Sequence, residues 1–174
     1  EAAVIRGILH RFTSLIEPLS LDEAYLDVTE HPGAPGPLAQ VIRGTIFRKT
    51  KLTSSAGIGP NKLIAKIASE INKPNGQFEV TPEQVPQFME KLPVRMIWGI
   101  GEKTQRKLEE LGVKTCGQLQ RFSRPELVEF FGKFGLDLYE LCRGIDHRPV
   151  EPDRPRKSLS TAETFAADLT TVDS

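Results

Sequence analysis

The chain has 174 residues, of which 39% are apolar and 26% are charged, and its 23 lysines and arginines balance 23 aspartates and glutamates. This length suits one medium domain or two small ones, and the composition is that of an ordinary folded protein. No apolar run is long enough to span a bilayer and no signal peptide opens the chain, so neither a membrane protein nor a secreted protein is predicted. The zero net charge counts mildly against a nucleic-acid binder, although local clusters of basic residues can still supply a binding face.

Apolar periodicity predicts an α+β region followed by an all-helical region. The first region is expected to contain helices at 1–15, 38–50, 61–72 and 82–91, and β-prone segments at 19–28, 53–58 and 77–81. The second is expected to contain only short helices, at 94–97, 102–111, 115–121, 125–131 and 136–143. Three prolines between 149 and 155 indicate a linker, and a further β-prone segment follows at 158–165. The predicted domains are therefore 1–92, 93–148 and 149–174.

Two local patterns support the helical region. Ser123 is followed three residues later by Glu126, which is the spacing of a capping box. Gly112 and Gly144 stand where a helix C-terminus favours a residue in the left-handed conformation. The only two cysteines show no metal-ligand spacing, so a reduced, cytoplasmic protein is predicted.

A pair of adjacent acids, Asp22 and Glu23, lies inside a strongly β-prone stretch. In a regular strand the two carboxylates would point to opposite faces of the sheet. If the chain instead folds back near Leu21, both acids lie at the tip of a hairpin and can converge on one cation. Adjacent carboxylates flanked by apolar strand residues suit Mg²⁺, which in two-ion sites supports nucleotidyl transfer. The alternative is a plain polar turn without a chemical role.

Three lysines, Lys62, Lys66 and Lys73, share one face of the predicted helix 61–72 and its continuation. The apolar residues of this segment form the opposite, buried face. Such a row of lysines either binds phosphate groups or simply faces solvent. Gly57 and Gly59, just before the helix, are expected to allow a tight turn between strand and helix.

A second candidate site opens the helical region, where Gly99 and Gly101 surround one apolar residue before the helix 102–111. A tight turn there would expose backbone N–H groups at the helix N-terminus, an arrangement that binds phosphate without reading base sequence. Lys103 and Thr104 are near enough in sequence to add contacts. The alternative is an ordinary turn between two helices with a glycine C-cap.

These motifs occur together in one known family. Residues 20–28 (SLDEAYLDV), 55–76 and 97–101 (IWGIG) resemble, in this order, the motifs of the Y-family translesion DNA polymerases. Residues 16–23 and 73–76 are most similar to the bacterial DNA polymerase IV subfamily. The resemblance extends from 11 to 165, which is nearly the whole chain.

The resemblance implies a partial polymerase palm, mostly an antiparallel sheet with helices on one face, then a small helical thumb with a helix-hairpin-helix, then the start of a little finger. It implies that Asp22 and Glu23 bind two catalytic Mg²⁺ ions and that Lys73 contacts the triphosphate of an incoming dNTP. The residues expected to contact primer–template DNA are Lys62, Lys66, Gly99, Gly101, Lys103, Thr104, Arg156 and Lys157. For the last two, in the linker, a purely solvated role is the alternative.

Several parts of the family have no counterpart in this sequence. They are the first palm strand with a third metal-binding aspartate, the fingers, most of the little finger and the C-terminal tail that binds a sliding clamp. We therefore predict a fragment that binds metal weakly and does not polymerise alone. An exposed edge of the palm sheet is expected to permit dimerisation.

Two other functions are compatible with parts of the sequence. A non-catalytic DNA-binding module would use only the helix-hairpin-helix and the basic face, and would tolerate replacement of both acids. Another palm-type enzyme, such as a nucleotidyl cyclase, would share the carboxylate hairpin. Because a cyclase has no need of a duplex-gripping helical domain, the second half of the chain disfavours it.

Overall fold

The computed structural model describes residues 2–152, which form helices and two pairs of short strands. The helices are α1 Ala2–Leu9, α2 Pro35–Thr50, α3 Lys62–Ile71, α4 Val85–Lys91, α5 Glu102–Glu110, α6 Cys116–Leu119, α7 Arg124–Phe131 and α8 Phe134–Leu141. The strands are β1 Ile16–Pro18, β2 Ala24–Leu26, β3 Ala56–Ile58 and β4 Gln77–Glu79. The α+β class predicted from the sequence is confirmed. The predicted β-prone segment 158–165 lies outside the described residues.

Most helix ends differ from the prediction by one to three residues or more, and two of these differences have a clear cause. α1 ends at Leu9, well before residue 15, and the chain then turns toward β1. Thr13 fixes this turn, because its hydroxyl donates to the carbonyl of Asp27 at 2.6 Å and accepts from the N–H of Leu15 at 3.0 Å. α2 starts at Pro35 rather than at 38, since proline in the first helical turn loses no hydrogen bond and its fixed φ suits a helix start.

The two strand pairs differ in direction. β1 and β2 form an antiparallel hairpin with Ile16 opposite Leu26. β3 and β4 are parallel, with Ala56 opposite Gln77, and α3 connects them. The predicted antiparallel arrangement therefore applies to the first pair but not to the second. Parallel strands need a crossover of a dozen or so residues, and the segment containing α3 supplies one.

α3 packs directly on β3, and Gly57 makes this contact possible. A Cβ at Gly57 would lie 1.9 Å from the carbonyl oxygen of Ala65 and 2.3 Å from the backbone nitrogen of Ser69. Both atoms belong to the backbone of α3 and cannot move aside as the end of a flexible side chain can. Gly57 therefore serves close approach of strand and helix, rather than the tight turn suggested by its position before α3.

Gly57→Ala is expected to destabilise the chain by about 3 kcal/mol, because the new methyl group must push the backbone of α3 away from β3. The matched control is Gly7→Ala, since a Cβ at Gly7 on α1 meets nothing within 4 Å. That change should stabilise the chain by about 0.5–1 kcal/mol through helix propensity. Urea denaturation of both variants measures the two effects, and equal stabilities would contradict the packing role of Gly57.

One hydrophobic core joins residues on both sides of the predicted domain boundary at 92. It extends from Leu63 on α3 to Cys142 after α8. Cys116 and Cys142 are free thiols inside it, and burial raises their pKa values to about 12 and about 11, respectively. Both thiols are therefore protonated at neutral pH and act as small apolar side chains.

The predicted helix caps are confirmed. The Ser123 hydroxyl accepts from the N–H of Glu126 at 3.4 Å, and the Glu126 carboxylate accepts from the N–H of Ser123 at 2.8 Å. Gly112 and Gly144 have φ values of +72° and +77°, in the left-handed region. Within residues 2–152, no helix has both the length and the apolar character needed to cross a membrane.

Candidate active site and nucleic-acid interface

The tip of the β1–β2 hairpin carries Asp22 and Glu23. The carbonyl of Glu23 accepts hydrogen bonds from the N–H groups of Leu19 at 2.9 Å and Ser20 at 3.3 Å, which closes the turn. Leu21, at the tip, is 90% exposed. The fold-back predicted near Leu21 is therefore present, and it places the two adjacent acids at one accessible end of the hairpin.

Asp22 is exposed, and its carboxylate accepts a hydrogen bond from the Ser20 hydroxyl at 2.5 Å. This hydrogen bond, helped by the backbone N–H of Asp22, lowers the pKa of the Asp22 carboxyl below its usual value. The positive charges of Lys73 and Lys66 act in the same direction. The carboxylate is therefore ionised at neutral pH, as a ligand for a cation must be.

A chain of alternating charges connects the hairpin tip with α3. Glu23 pairs with Lys66, Lys66 lies 3.5 Å from Glu70, and Glu70 lies 2.8 Å from Lys73. Burial lowers the pKa of Lys66, but the hydrogen bond and charge of Glu23, joined by Glu70, outweigh it and raise that pKa overall. Lys73 lowers the pKa of Glu70. The acids of the tip and two of the predicted lysines thus belong to one electrostatic unit.

Glu70 was not among the residues predicted from the sequence. Its spacing carried a signal, because it follows Lys66 by four residues and precedes Lys73 by three. Side chains at these spacings pair on a helix surface. The row of lysines is therefore not simply cationic in this structure, since Glu70 neutralises part of its charge.

Lys62 is directed toward the hairpin. Its Nζ lies 2.5 Å from the carboxylate of Glu17, 3.0 Å from the carbonyl of Pro149 and 5.1 Å from the centre of the Tyr25 ring. The side chains of Glu17 and Lys62 are 4% and 10% exposed. Glu17 also accepts from the backbone N–H of Glu151 at 2.9 Å. Lys62 therefore forms a buried ion pair beneath the hairpin, and its predicted contact with DNA stays a prediction.

The donor chemistry of the tip suits Mg²⁺, which prefers carboxylate oxygens and retains several waters. The carboxylates of Asp22 and Glu23 are donors of this kind. Within residues 2–152, no group of three or more His, Cys, Asp or Glu side chains is arranged to hold a metal ion. Lys66 contacts Oε1 of Glu23, so Oε2 is the oxygen of this carboxylate that is left for a metal ion. The donor chemistry of Asp22 and Glu23 thus suits a Mg²⁺ ion, and the described residues offer no third acidic side chain beside them.

The second candidate site is the turn before α5. Val94–Met96 form a short 3-10 turn where a helix was predicted at 94–97. Gly99 has a φ of +100°, a conformation that glycine adopts without steric strain. Gly101 is the N-cap of α5 and provides no side-chain cap for its first N–H groups. Backbone N–H groups presented in this way suit a phosphate oxygen.

The first turn of α5 contributes side chains to the same surface. Lys103 is exposed and Thr104 is half-buried. Arg106 pairs with Glu102, and Lys107 donates to the carbonyl of Phe130. Within the described part of the chain, Lys103 forms no ion pair, so its charge remains accessible to an anion. Arg156 and Lys157 lie outside the described residues, and their predicted DNA contacts stay predictions.

Two family models match the chain. The impB/mucB/samB family matches residues 1–70, and the DNA polymerase-iota thumb domain matches residues 95–146. The DNA polymerase IV of Francisella tularensis subsp. holarctica is 54% identical over 98% of this chain and 50% of that protein. The DNA polymerase IV of Legionella pneumophila is 53% identical over 97% of this chain and 48% of that protein. The chain spans about half the length of the curated relatives it matches.

The chain is also similar in structure to solved DNA polymerases. A Y-family DNA polymerase chimera of Dbh and Dpo4 has a TM-score of 0.82 at 35% identity, over 90% of this chain and 46% of the chimera. DinB from Sulfolobus solfataricus has a TM-score of 0.79 at 35% identity, over 87% of this chain and 46% of that protein. An insertion ternary complex of Dbh DNA polymerase has a TM-score of 0.79 at 35% identity, over 86% of this chain and 45% of that polymerase.

Proposed function

We propose that this chain, which belongs to the Y family of DNA polymerases, supplies part of the palm and the thumb of a translesion polymerase of the DNA polymerase IV kind. The proposed partial palm is 1–92, the thumb is 93–148, and 149–174 forms the linker and the start of the little finger. The observation that carries the proposal is the hairpin tip with Asp22 and Glu23, facing the lysines of α3 within the part matched by the first family.

The proposed reaction of the complete protein is template-directed nucleotidyl transfer from a dNTP to a primer 3′-hydroxyl. The 3′-oxygen forms a bond to the α-phosphorus, the bond from this phosphorus to the pyrophosphate oxygen breaks, and the hydroxyl proton is released. Two Mg²⁺ ions held by Asp22 and Glu23 would supply charge stabilisation and alignment of the reacting oxygens. The residues of the chain contribute by positioning, because no side chain is required to form a covalent intermediate.

Lys73 is the proposed contact for the dNTP triphosphate. Its side chain is 45% exposed and pairs with Glu70 at 2.8 Å. A triphosphate carries more negative charge than one carboxylate, so it can attract the ammonium away from Glu70. Lys66 stays with Glu23 and Glu70 in this arrangement and orients the Glu23 carboxylate.

The proposed grip on primer–template DNA is the turn before α5, through Gly99, Gly101, Lys103 and Thr104. The left-handed Gly99, the N-terminus of α5 without a side-chain cap and the accessible charge of Lys103 support a contact with the DNA backbone. For Lys62 and Lys66, the ion pairs to Glu17 and Glu23 favour support of the hairpin over the DNA contact predicted from the sequence.

The resemblance to the Y-family DNA polymerases also suggests a cellular location and further partners for the complete protein. We propose a cytoplasmic location and a sliding-clamp contact through a C-terminal tail. Dimerisation through a sheet edge is also proposed, since both described sheets have only two strands and so leave unpaired edges. Each of these strands has only three residues, which limits the strength of such pairing.

Primer extension tests the proposed function directly. The full-length protein that contains this chain is expected to extend a primer with dNTPs and Mg²⁺, whereas the isolated 174-residue chain is expected to show no measurable extension. Binding of fluorescent primer–template by the isolated chain is the control that its helical region is folded. Extension by the isolated chain would contradict its predicted inactivity. Absence of extension by the full-length protein, with DNA binding intact, would instead favour a non-catalytic DNA-binding module.

A further inference from the structure

We propose that Arg43, on α2, is a positioning residue for Lys73. It would hold the turn 73–76 so that Lys73 can meet the triphosphate of a nucleotide. This inference rests on the proposed function, because it concerns the dNTP contact assigned to Lys73. Sequence reasoning did not single out Arg43, which precedes the turn by some thirty residues.

The guanidinium of Arg43 reaches from α2 to the turn and makes four hydrogen bonds. Its Nη2 donates to the backbone oxygen of Asn75 at 2.6 Å and to the side-chain oxygen of Asn75 at 3.0 Å. Its Nε donates to the carbonyl of Ser54 at 2.8 Å, and its Nη1 donates to Oε1 of Gln77 at 3.2 Å. One planar group therefore ties together the turn, the chain entering β3 and the first residue of β4.

The turn 73–76 has an unusual backbone conformation that the hydrogen bonds from Arg43 can stabilise. Asn75 has a φ of +51°, in the left-handed region that side-chain-bearing residues seldom occupy. Arg43 binds both the carbonyl and the side chain of this residue, so it favours the conformation at two points. Gly76 follows under tight packing, because a Cβ there would lie 1.9 Å from the carbonyl oxygen of Asn72. The bonds of Arg43 and this close packing thus both restrict the backbone of the turn that follows Lys73.

The acceptors of Arg43 indicate a geometric role. All four are neutral amide or carbonyl oxygens, and within residues 2–152 Arg43 forms no ion pair. Neutralisation of a nearby acid is therefore not what Arg43 does here. Lys73 itself is partly exposed, and among the described residues its one ion pair is with Glu70. A fixed backbone and an exchangeable ammonium group together suit a side chain that must transfer from Glu70 to an incoming phosphate.

The test uses steady-state primer extension by the full-length protein, with dNTP KM, kcat and primer–template Kd measured separately. Arg43→Met is expected to raise the dNTP KM about tenfold, with the DNA Kd changed by less than about twofold. The control is Arg48→Met on the same helix, since within residues 2–152 the Arg48 guanidinium donates only to the Thr45 hydroxyl. Its kinetic constants should match those of the wild type.

The decisive comparison combines Arg43→Met with Lys73→Ala. If Arg43 acts through Lys73, the double variant has the same dNTP KM as Lys73→Ala alone. Independent, multiplying effects on KM, or an unchanged KM in Arg43→Met, would overturn the proposal. If Arg43→Met does not fold, Asn75→Gly replaces it, because glycine keeps the positive φ and removes one acceptor of Arg43; an unchanged KM there would also overturn the proposal. A wild type that neither extends a primer nor binds dNTP overturns the proposed function itself, and this inference with it.

Discussion

Replacement of Asp22 or Glu23 by alanine in the full-length protein is expected to reduce the rate of primer extension by at least about a thousandfold. Each change removes one of the two carboxylates that, in the proposed function, would hold the metal ions and thereby stabilise the transition-state charge. The affinity for primer–template DNA should change by less than about twofold, since the proposed grip lies at the turn before α5. Single-turnover extension and fluorescence anisotropy measure the two quantities separately.

Asp27→Ala is the matched control for this experiment. Asp27 lies in the same β-prone stretch, but its carboxylate accepts from the N–H of Thr29 at 2.9 Å, away from the tip. Its removal should leave extension within about threefold of the wild type, as expected for a local turn contact. If Asp22→Ala and Glu23→Ala extend as well as Asp27→Ala does, the acids are not metal ligands. The non-catalytic DNA-binding module would then explain the chain better.

The features that the sequence predicted well depend on short stretches of chain. The hairpin at Leu21, the capping box at Ser123 and the left-handed Gly144 each follow from residues only a few positions apart. The buried face of α3 follows in the same way from helical periodicity, apart from Ile71, which is 41% exposed at the end of the helix. In all of these, local geometry leaves few alternatives.

The features that the sequence did not predict depend on contacts between distant residues. The pair of Lys62 with Glu17 spans 45 positions, and the hydrogen bonds of Arg43 to Asn75 span 32. Periodicity places Lys62 on the polar face of α3, but it cannot tell whether that face meets solvent, DNA or the hairpin. The parallel pairing of β3 and β4 is likewise a consequence of how α3 packs. The sequence therefore indicates candidate site residues but not the partners that the fold gives them, such as Glu17 for Lys62.

Lys62→Met is expected to destabilise the chain by about 3 kcal/mol. Methionine retains the apolar stem of the side chain but not its charge, so the Glu17 carboxylate loses its lysine while its side chain stays only 4% exposed. The backbone N–H of Glu151 remains as a donor and limits the loss. A second change, Glu17→Gln, should recover much of the stability in the Lys62→Met background, because burial of a neutral amide costs less than burial of a carboxylate that has lost Lys62. Urea denaturation of the single and double variants measures this coupling.

Lys103 was also predicted to contact DNA, but for Lys103→Met we expect weaker DNA binding and nearly unchanged stability. Because Lys103 is exposed, its loss should change stability by no more than about 0.5 kcal/mol. It should weaken DNA binding and lower the slope of log K against log salt concentration by about one. The two lysines therefore separate support of the hairpin from contact with DNA. If Lys62→Met leaves stability unchanged and lowers the salt slope as Lys103→Met does, the DNA contact predicted from the sequence is correct and the ion pair with Glu17 contributes little.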